Sequence, residues 1–126
     1  MPKTATEVCE EALRIIGVLA SDEPATSEDV VNCKRHMDGI YADLDDTKDL
    51  AFTWTVETVP DGVYLSFARA VGGSVASFYG RTQRAAEAAM ALNPRKTLYE
   101  IGVDGIKEYE ARALTSENHT VTAEYF

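Results

Sequence analysis

DGVYLSFARAVGGSVASFYG, residues 61–80, is small and apolar along most of its length, and the remainder of the chain has to be arranged around it. Tyr64, Leu65, Ala68, Val71, Val75, Phe78 and Tyr79 recur at a spacing suited to burial on a helix. Asp61 stands where an N-cap belongs, and Gly80 can close the far end. The spacing predicts a helix over Asp61–Gly80. Gly72-Gly73 interrupts its middle, and each Gly costs about 1 kcal/mol relative to Ala in an exposed helix. The pair therefore implies a close approach by another helix, or a bend. A phosphate loop is excluded, because GxxxxGK[ST] and GxGxxG are both absent.

Immediately upstream, LAFTWTVETVP (50–60) alternates Phe52, Trp54 and Val56 against Thr53, Thr55 and Glu57, the period of a short strand or extended arm, and Pro60 ends it. Further upstream, Thr26 followed by Asp29 starts a helix expected over Ser27–Leu44. Val30, Cys33, Met37, Ile40, Tyr41 and Leu44 form its apolar stripe. At the N-terminus Thr4 and Glu7 make a capping box for an amphipathic helix burying Val8, Ala12, Leu13, Ile15 and Ile16, and Gly17 can take the left-handed C-terminal position.

Downstream, TQRAAEAAMALNPRK reads as an alanine-rich helix broken or bent at Pro94. TLYEIGVDGIKEYEARALTS is a further helix burying Leu98, Ile101, Ile106, Tyr109 and Leu114 in part. The last residues, TVTAEYF, return to alternation, with Val121, Ala123 and Tyr125 on one side, and predict an extended tail. The fold class expected is mainly α: a small helical bundle over residues 1–119, a short extended β arm or hairpin at about 50–60, and a C-terminal tail over 120–126.

Between the second helix and the arm lies DLDDTKDL, with Asp43, Asp45, Asp46 and Asp49. Asp45-Asp46-x-x-Asp49 has the spacing of a magnesium-diphosphate box, but 126 residues cannot build the large helical barrel that chemistry needs. As a calcium loop it places Lys48 where the turn wants Gly and Trp54 where the bidentate Glu belongs. It reads as a solvated acidic connector. Cys33 and His36 could offer two ligands one helical turn apart, with Cys9 a third, but no fourth is evident. With no CxxC, Cys9 and Cys33 are expected as free thiols. No metal, cofactor or catalytic residue is assigned: GxSxG and HExxH are absent, and neither His36 nor His119 stands in a diagnostic pattern with Ser or Cys.

The formal net charge of −9 argues against gripping nucleic acid through its phosphates, which depends on clustered Lys and Arg. An acidic surface does suit a passage through which DNA slides without sticking, since like charges repel within a Debye length of roughly 10 Å at 0.1 M salt. No window approaches the roughly 20 apolar residues of a membrane span, and the N-terminus lacks the basic and apolar regions of a signal peptide, so a cytoplasmic site of synthesis is expected.

The order of these pieces resembles a known family. EVCEEALRIIGVLASDEPATSEDVVNCKRHMDGIYADLDD is similar to the opening of tailed-phage head-completion proteins, the head-tail adaptors or connectors. There an A-L-R-x-L-G-V helix, a polar loop and a helix ending in an L-x-x-M-x-x-x-W pattern follow one another. Here these are Ala12-Leu13-Arg14, Ile16-Gly17-Val18, and Met37 followed by Tyr41. The proline-preceded helix ending in Tyr79-Gly80 also resembles the family's, and the likeness covers Thr6–Gly80, then loosely the helix to Leu92. The family's Trp is replaced, with Trp54 ten residues past Leu44, so no role passes to it.

The resemblance implies a structural protein of the virion neck, made in the host cytoplasm. Such a protein forms a ring, usually twelvefold, beneath the portal protein, extends the DNA channel and joins a downstream stopper, nozzle or tail component. On that reading Thr120, Val121, Thr122, Ala123, Glu124, Tyr125 and Phe126 dock on the portal, and Gly72, Gly73, Ala85, Ala88 and Ala89 offer flat surfaces to neighbouring subunits. Two alternatives stand beside it: a small cytoplasmic helical regulatory or interaction domain, and a small hydrolase using surface carboxylates.

Overall fold

The computed structural model describes residues 2–47 and 52–124, the side chains of 46, 47 and 113–124 excepted. Five helices follow in order: α1 (Ala5–Ile15), α2 (Ser27–Thr47), α3 (Asp61–Val75), α4 (Thr82–Leu92) and α5 (Leu98–Glu124). The chain is mainly helical and packs as a bundle. α3 is the central helix, touching α1, α2, α4 and α5, with its broadest contact on α5. Among the described residues no helix is long and apolar enough to cross a membrane.

The local start and stop signals behave as their chemistry requires. Thr4 N–H donates to Glu7 Oε1 at 3.0 Å and Glu7 N–H to Thr4 Oγ1 at 3.3 Å, the reciprocal capping box of α1. Gly17 turns the chain out of α1 at φ 77, and Val18 N–H closes onto Leu13 O at 2.8 Å. Thr26 and Asp29 cap α2 in the same way. α4 ends at Leu92, two residues before Pro94.

Several expectations are corrected. α2 runs to Thr47, so Asp43, Asp45 and Asp46 belong to its C-terminal turns and not to a connector. α3 stops at Val75; residues 76–80 form a turn, closed by Arg81 N–H on Ala76 O at 2.7 Å, with Gly80 at φ 67. Pro60 occupies the N-cap of α3, with Asp61 the first helical residue. Val63, Phe67 and Ala70 are buried with the expected Ala68, Val71 and Val75, while Leu65 and Phe78 are exposed.

Over its described residues, 52–60, the arm forms no strand. Among the described residues its only pairing is one antiparallel bridge, Lys3 with Val59. Phe52 and Trp54 turn inward instead, Phe52 stacking on Tyr41 at 4.6 Å and Trp54 meeting Phe67 edge-on at 5.6 Å. The Tyr41 hydroxyl donates to Trp54 O, and Trp54 Nε1 donates to Glu110 Oε1 at 2.7 Å. The connector is thereby fixed to α2, α3 and α5 together.

The tail expected over 120–126 is helical as far as Glu124, and α5 passes His119 without a break; Tyr125 and Phe126 lie outside the described residues. Leu98 and Ile106 are buried and Ile101 and Tyr109 partly so, whereas the Leu114 side chain is outside the description.

What draws α3 and α5 together is the absence of side chains. A Cβ on Gly102 would lie 2.5 Å from Ser66 O, against the backbone of Ala70, and one on Gly105 would strike the Ser66 side chain. A Cβ on Gly73 would stand 2.6 Å from Tyr99 N, and one on Gly62 2.8 Å from the Tyr109 ring. The pairs Gly62–Tyr109, Ser66–Gly105, Ala70–Gly102 and Gly73–Tyr99 run in opposite chain directions, so the two helices cross antiparallel with their backbones in near contact.

Candidate functional site

The small residues expected to receive neighbouring subunits are engaged within the chain. Gly72 is buried beneath Ala12 O, which a Cβ would meet at 3.2 Å, and Gly73 faces Tyr99. Ala85 and Ala89 are buried and Ala88 partly so. These five positions build the monomer's own helix contacts, leaving the candidate surfaces to be sought among charged and exposed side chains. Of the expected docking residues, Thr120–Glu124 form the end of α5, their side chains outside the description.

The charges are segregated. Residues 22–49 contain nine acidic and three basic side chains, whereas residues 69–96 contain five basic ones, Arg69, Arg81, Arg84, Arg95 and Lys96, against the single acidic Glu87. The two regions lie on different flanks: α2 packs on α1 and α3, while α4 packs on α5 and α3. On α2 the outer stripe Glu28, Val31, Arg35, Asp38, Ala42 and Asp45 is exposed at every position and recurs at helical spacing. Asp38 and Asp45 on this stripe, and Arg81 and Arg95 at the two ends of α4, form no ion pair among the described residues.

Each segregated cluster sits at the wrong end of its helix. The C-terminus of a helix carries partial negative charge and its N-terminus partial positive charge. α2 nevertheless ends in Asp43, Asp45 and Asp46 with no basic residue in its last turn, and α4 begins at Arg81 and Arg84 with no acidic residue in its first. For Asp45 and Arg81, which form no ion pair among the described residues, this opposition to the dipole costs about 0.3–1 kcal/mol each.

Beside α4 runs a groove of about 480 Å³, between that helix and the start of α5. Ala76, Ala85, Ala89, Met90, Pro94 and Leu98 supply its apolar lining, and Met90 is 65% exposed. Lys96 lines one end, with Arg95 next to it in sequence, while Arg81 immediately precedes Thr82 of the lining at the other end.

A cavity of about 420 Å³ opens where α2, α3 and the start of α5 meet, lined in part by Arg35, His36, Asp43, Ser74 and Tyr99. His36 Nδ1 and Ser74 Oγ lie 2.7 Å apart. Their 38-residue separation hid the contact from motif reading. Ser74 is inside α3, where backbone N–H groups are committed to helical bonds. The pair ties α2 to α3. Burial, followed by the Asp43 charge, raises the Tyr99 phenol above its ordinary value of 10.0.

Cys9 and Cys33 are free and fully buried where α1 meets α2. Cys9 Sγ lies 3.5 Å from Asp29 O, one helical turn before Cys33. Contact with the Cys33 thiol, followed by burial, pushes the Cys9 thiol far up. His36, considered from the sequence as a ligand one helical turn from Cys33, is engaged with Ser74. Among the described residues no group of three or more His, Cys, Asp or Glu could hold a metal ion.

Compared with family models, curated proteins and solved structures, the chain finds no match.

Proposed function

We propose that this chain is a structural head-tail adaptor of a tailed phage, acting by assembly rather than by catalysis. The observation that favours it is the segregation of charge onto two flanks. A ring built by rotation needs two different faces on each subunit, complementary to one another, so that every copy offers one and receives the other. An acidic α2 flank and a basic α4 flank meet that requirement, whereas a uniformly acidic surface would repel its own copies.

In this reading the ring sits beneath the portal protein in the virion neck, twelvefold as the family resemblance implies, and passes the DNA channel to a downstream neck or tail component. The net charge of −9 suits a lumen that DNA crosses without tight binding. The end of α5, Thr120–Glu124 with Tyr125 and Phe126 beyond it, is the docking segment, engaging the portal as a helix instead of as an added strand.

Electron microscopy of the protein mixed with a cognate portal tests the reading, with a ring bound coaxially to the portal as the expected result. A chain that never binds portal and forms only a closed dimer supports an interaction domain instead. Truncation after His119 is expected to leave the melting temperature nearly unchanged and to abolish stable attachment. Full portal occupancy by the truncated chain removes the docking role from the segment.

A further inference from the structure

We infer that the groove between α4 and the start of α5 receives the outer stripe of α2 from a second copy of this chain. The inference rests on the ring reading and names the surfaces through which the ring closes.

Three features select this occupant. The groove is apolar along its floor, with Arg81 near one end and Arg95 at the other, beside a Lys96 already paired with Asp104, so its complement is a helix face carrying small apolar side chains flanked by carboxylates. The α2 stripe has that composition: Val31, which is 60% exposed, and Ala42 alternate with Glu28, Asp38 and Asp45, and Arg35 is the one basic member. The lengths also agree. α4, with 11 residues, is about 16 Å long, and the 15 residues from Val31 to Asp45 rise about 21 Å over 14 steps, enough to reach from one end of the groove to the other.

The helix ends fix the direction. With α2 antiparallel to α4, Asp45 near the C-terminus of α2 meets Arg81 at the positive N-terminus of α4, and these two charges find partners of opposite sign. Asp45 and Arg81 each stand against the local dipole, and neither forms an ion pair among the described residues. Because the donated face and the receiving groove are different surfaces, the contact is heterologous and propagates from copy to copy around a ring.

A charge-exchange experiment tests the assignment. One variant carries Asp38→Lys with Asp45→Lys, the other Arg81→Glu with Arg95→Glu, and circular dichroism establishes that each is folded. At low salt, sedimentation of the wild-type chain is expected to show reversible self-association that weakens as salt is added. Each variant alone is expected to associate at least tenfold more weakly, because its two faces now share a sign. The equimolar mixture is expected to recover association, since each variant's α2 then meets the other's groove with opposite charge.

Variants that associate as the wild type does, a folded mixture that shows no recovery, or a wild-type chain that does not associate at all would each overturn the inference. Portal binding is scored separately. Rings that form on the portal irrespective of the exchanges leave the adaptor reading standing without this interface. An exchange rule obeyed in solution by a chain that ignores the portal leaves the interface standing without the adaptor reading.

Discussion

Trp54 donates its indole N–H to the Glu110 carboxylate at 2.7 Å across 56 positions of sequence, joining the segment before α3 to the middle of α5. The Tyr41 hydroxyl holds the Trp54 carbonyl from the other side, and the ring rests against Phe52 and Phe67. As the chain's single tryptophan, Trp54 reports on this junction by its own fluorescence. Glu110→Ala is expected to shift the emission and to cost about 1.5–3 kcal/mol, the range for a hydrogen bond to a charged group, with urea unfolding as the measurement. An unchanged midpoint would show that the bond contributes nothing to stability.

Glycine substitutions separate helix propensity from close approach. Gly39 lies within α2 with nothing within 4 Å of an added Cβ, so Gly39→Ala is expected to stabilise by about 0.5–1 kcal/mol. Gly102→Ala has the same propensity gain but drives a methyl group into the backbone of α3, and overpacking there costs about 1–3 kcal/mol or more. Thermal melts are expected to move in opposite directions. A stabilised Gly102→Ala would mean that α3 and α5 can separate freely.

The misplaced helix-end charges give a further signature. In the isolated chain, Asp45→Asn and Arg81→Gln are each expected to raise stability by about 0.3–1 kcal/mol, most clearly at low ionic strength. Denaturation in low and high salt checks this. A loss of stability in either variant would show that the charge has a favourable partner within the monomer.

The carboxyls of Glu7, Glu57 and Glu100 are held below their ordinary value of 4.5, chiefly by the backbone N–H groups of Thr4, Ala5 and Thr97. A carboxyl whose folded value is depressed contributes stability that is fully present above its unfolded value and is lost as pH falls through the folded one. Stability is therefore expected to decline below pH 4.5, while Thr4→Ala, which keeps the backbone N–H but removes the capping hydroxyl, is expected to cost about 1 kcal/mol at neutral pH. Melting temperatures measured across the acid range check both. A curve that stays flat through that range would contradict the first.

The thiols should be silent until the fold opens. Cys9 and Cys33 are both fully buried, and contact with Cys33 together with burial holds Cys9 in its protonated form. Alkylation in mildly alkaline buffer is expected to leave both cysteines unmodified in the native protein and to label both in denaturant. Rapid native labelling would reveal frequent separation of α1 from α2.

The parts of the fold legible in sequence were those governed by neighbours along the chain. The Thr4–Glu7 and Thr26–Asp29 boxes, the left-handed Gly17 and the stop before Pro94 each depend on a few consecutive residues. Elements whose partners are distant were harder. α3 is apolar around so much of its circumference that its spacing did not separate buried Phe67 from exposed Leu65. Phe52 and Trp54 alternate as a strand does, yet they are placed by an aromatic cluster drawn from α2 and α3. The alternation of Val121 and Ala123 was overridden by continuation of a 27-residue helix. The candidate surfaces were hidden for a related reason, since the net charge of −9 averages away the opposite signs of α2 and of the basic residues flanking α4.

The glycine-lined crossing of α3 and α5 also makes the molecule a lever. With Gly102 and Gly105 seated against Ser66 and Ala70, the two helices have no layer of side chains between them to shear or re-pack. From Glu110, which bonds Trp54, to Glu124, 14 residues further on, the backbone of α5 forms an arm of about 21 Å. A load applied at the tip of that arm reaches α3 as torque, and from α3 it passes to α2 and α4 on either flank. Anything that grips the end of α5 thus sets the orientation of both charged faces at once.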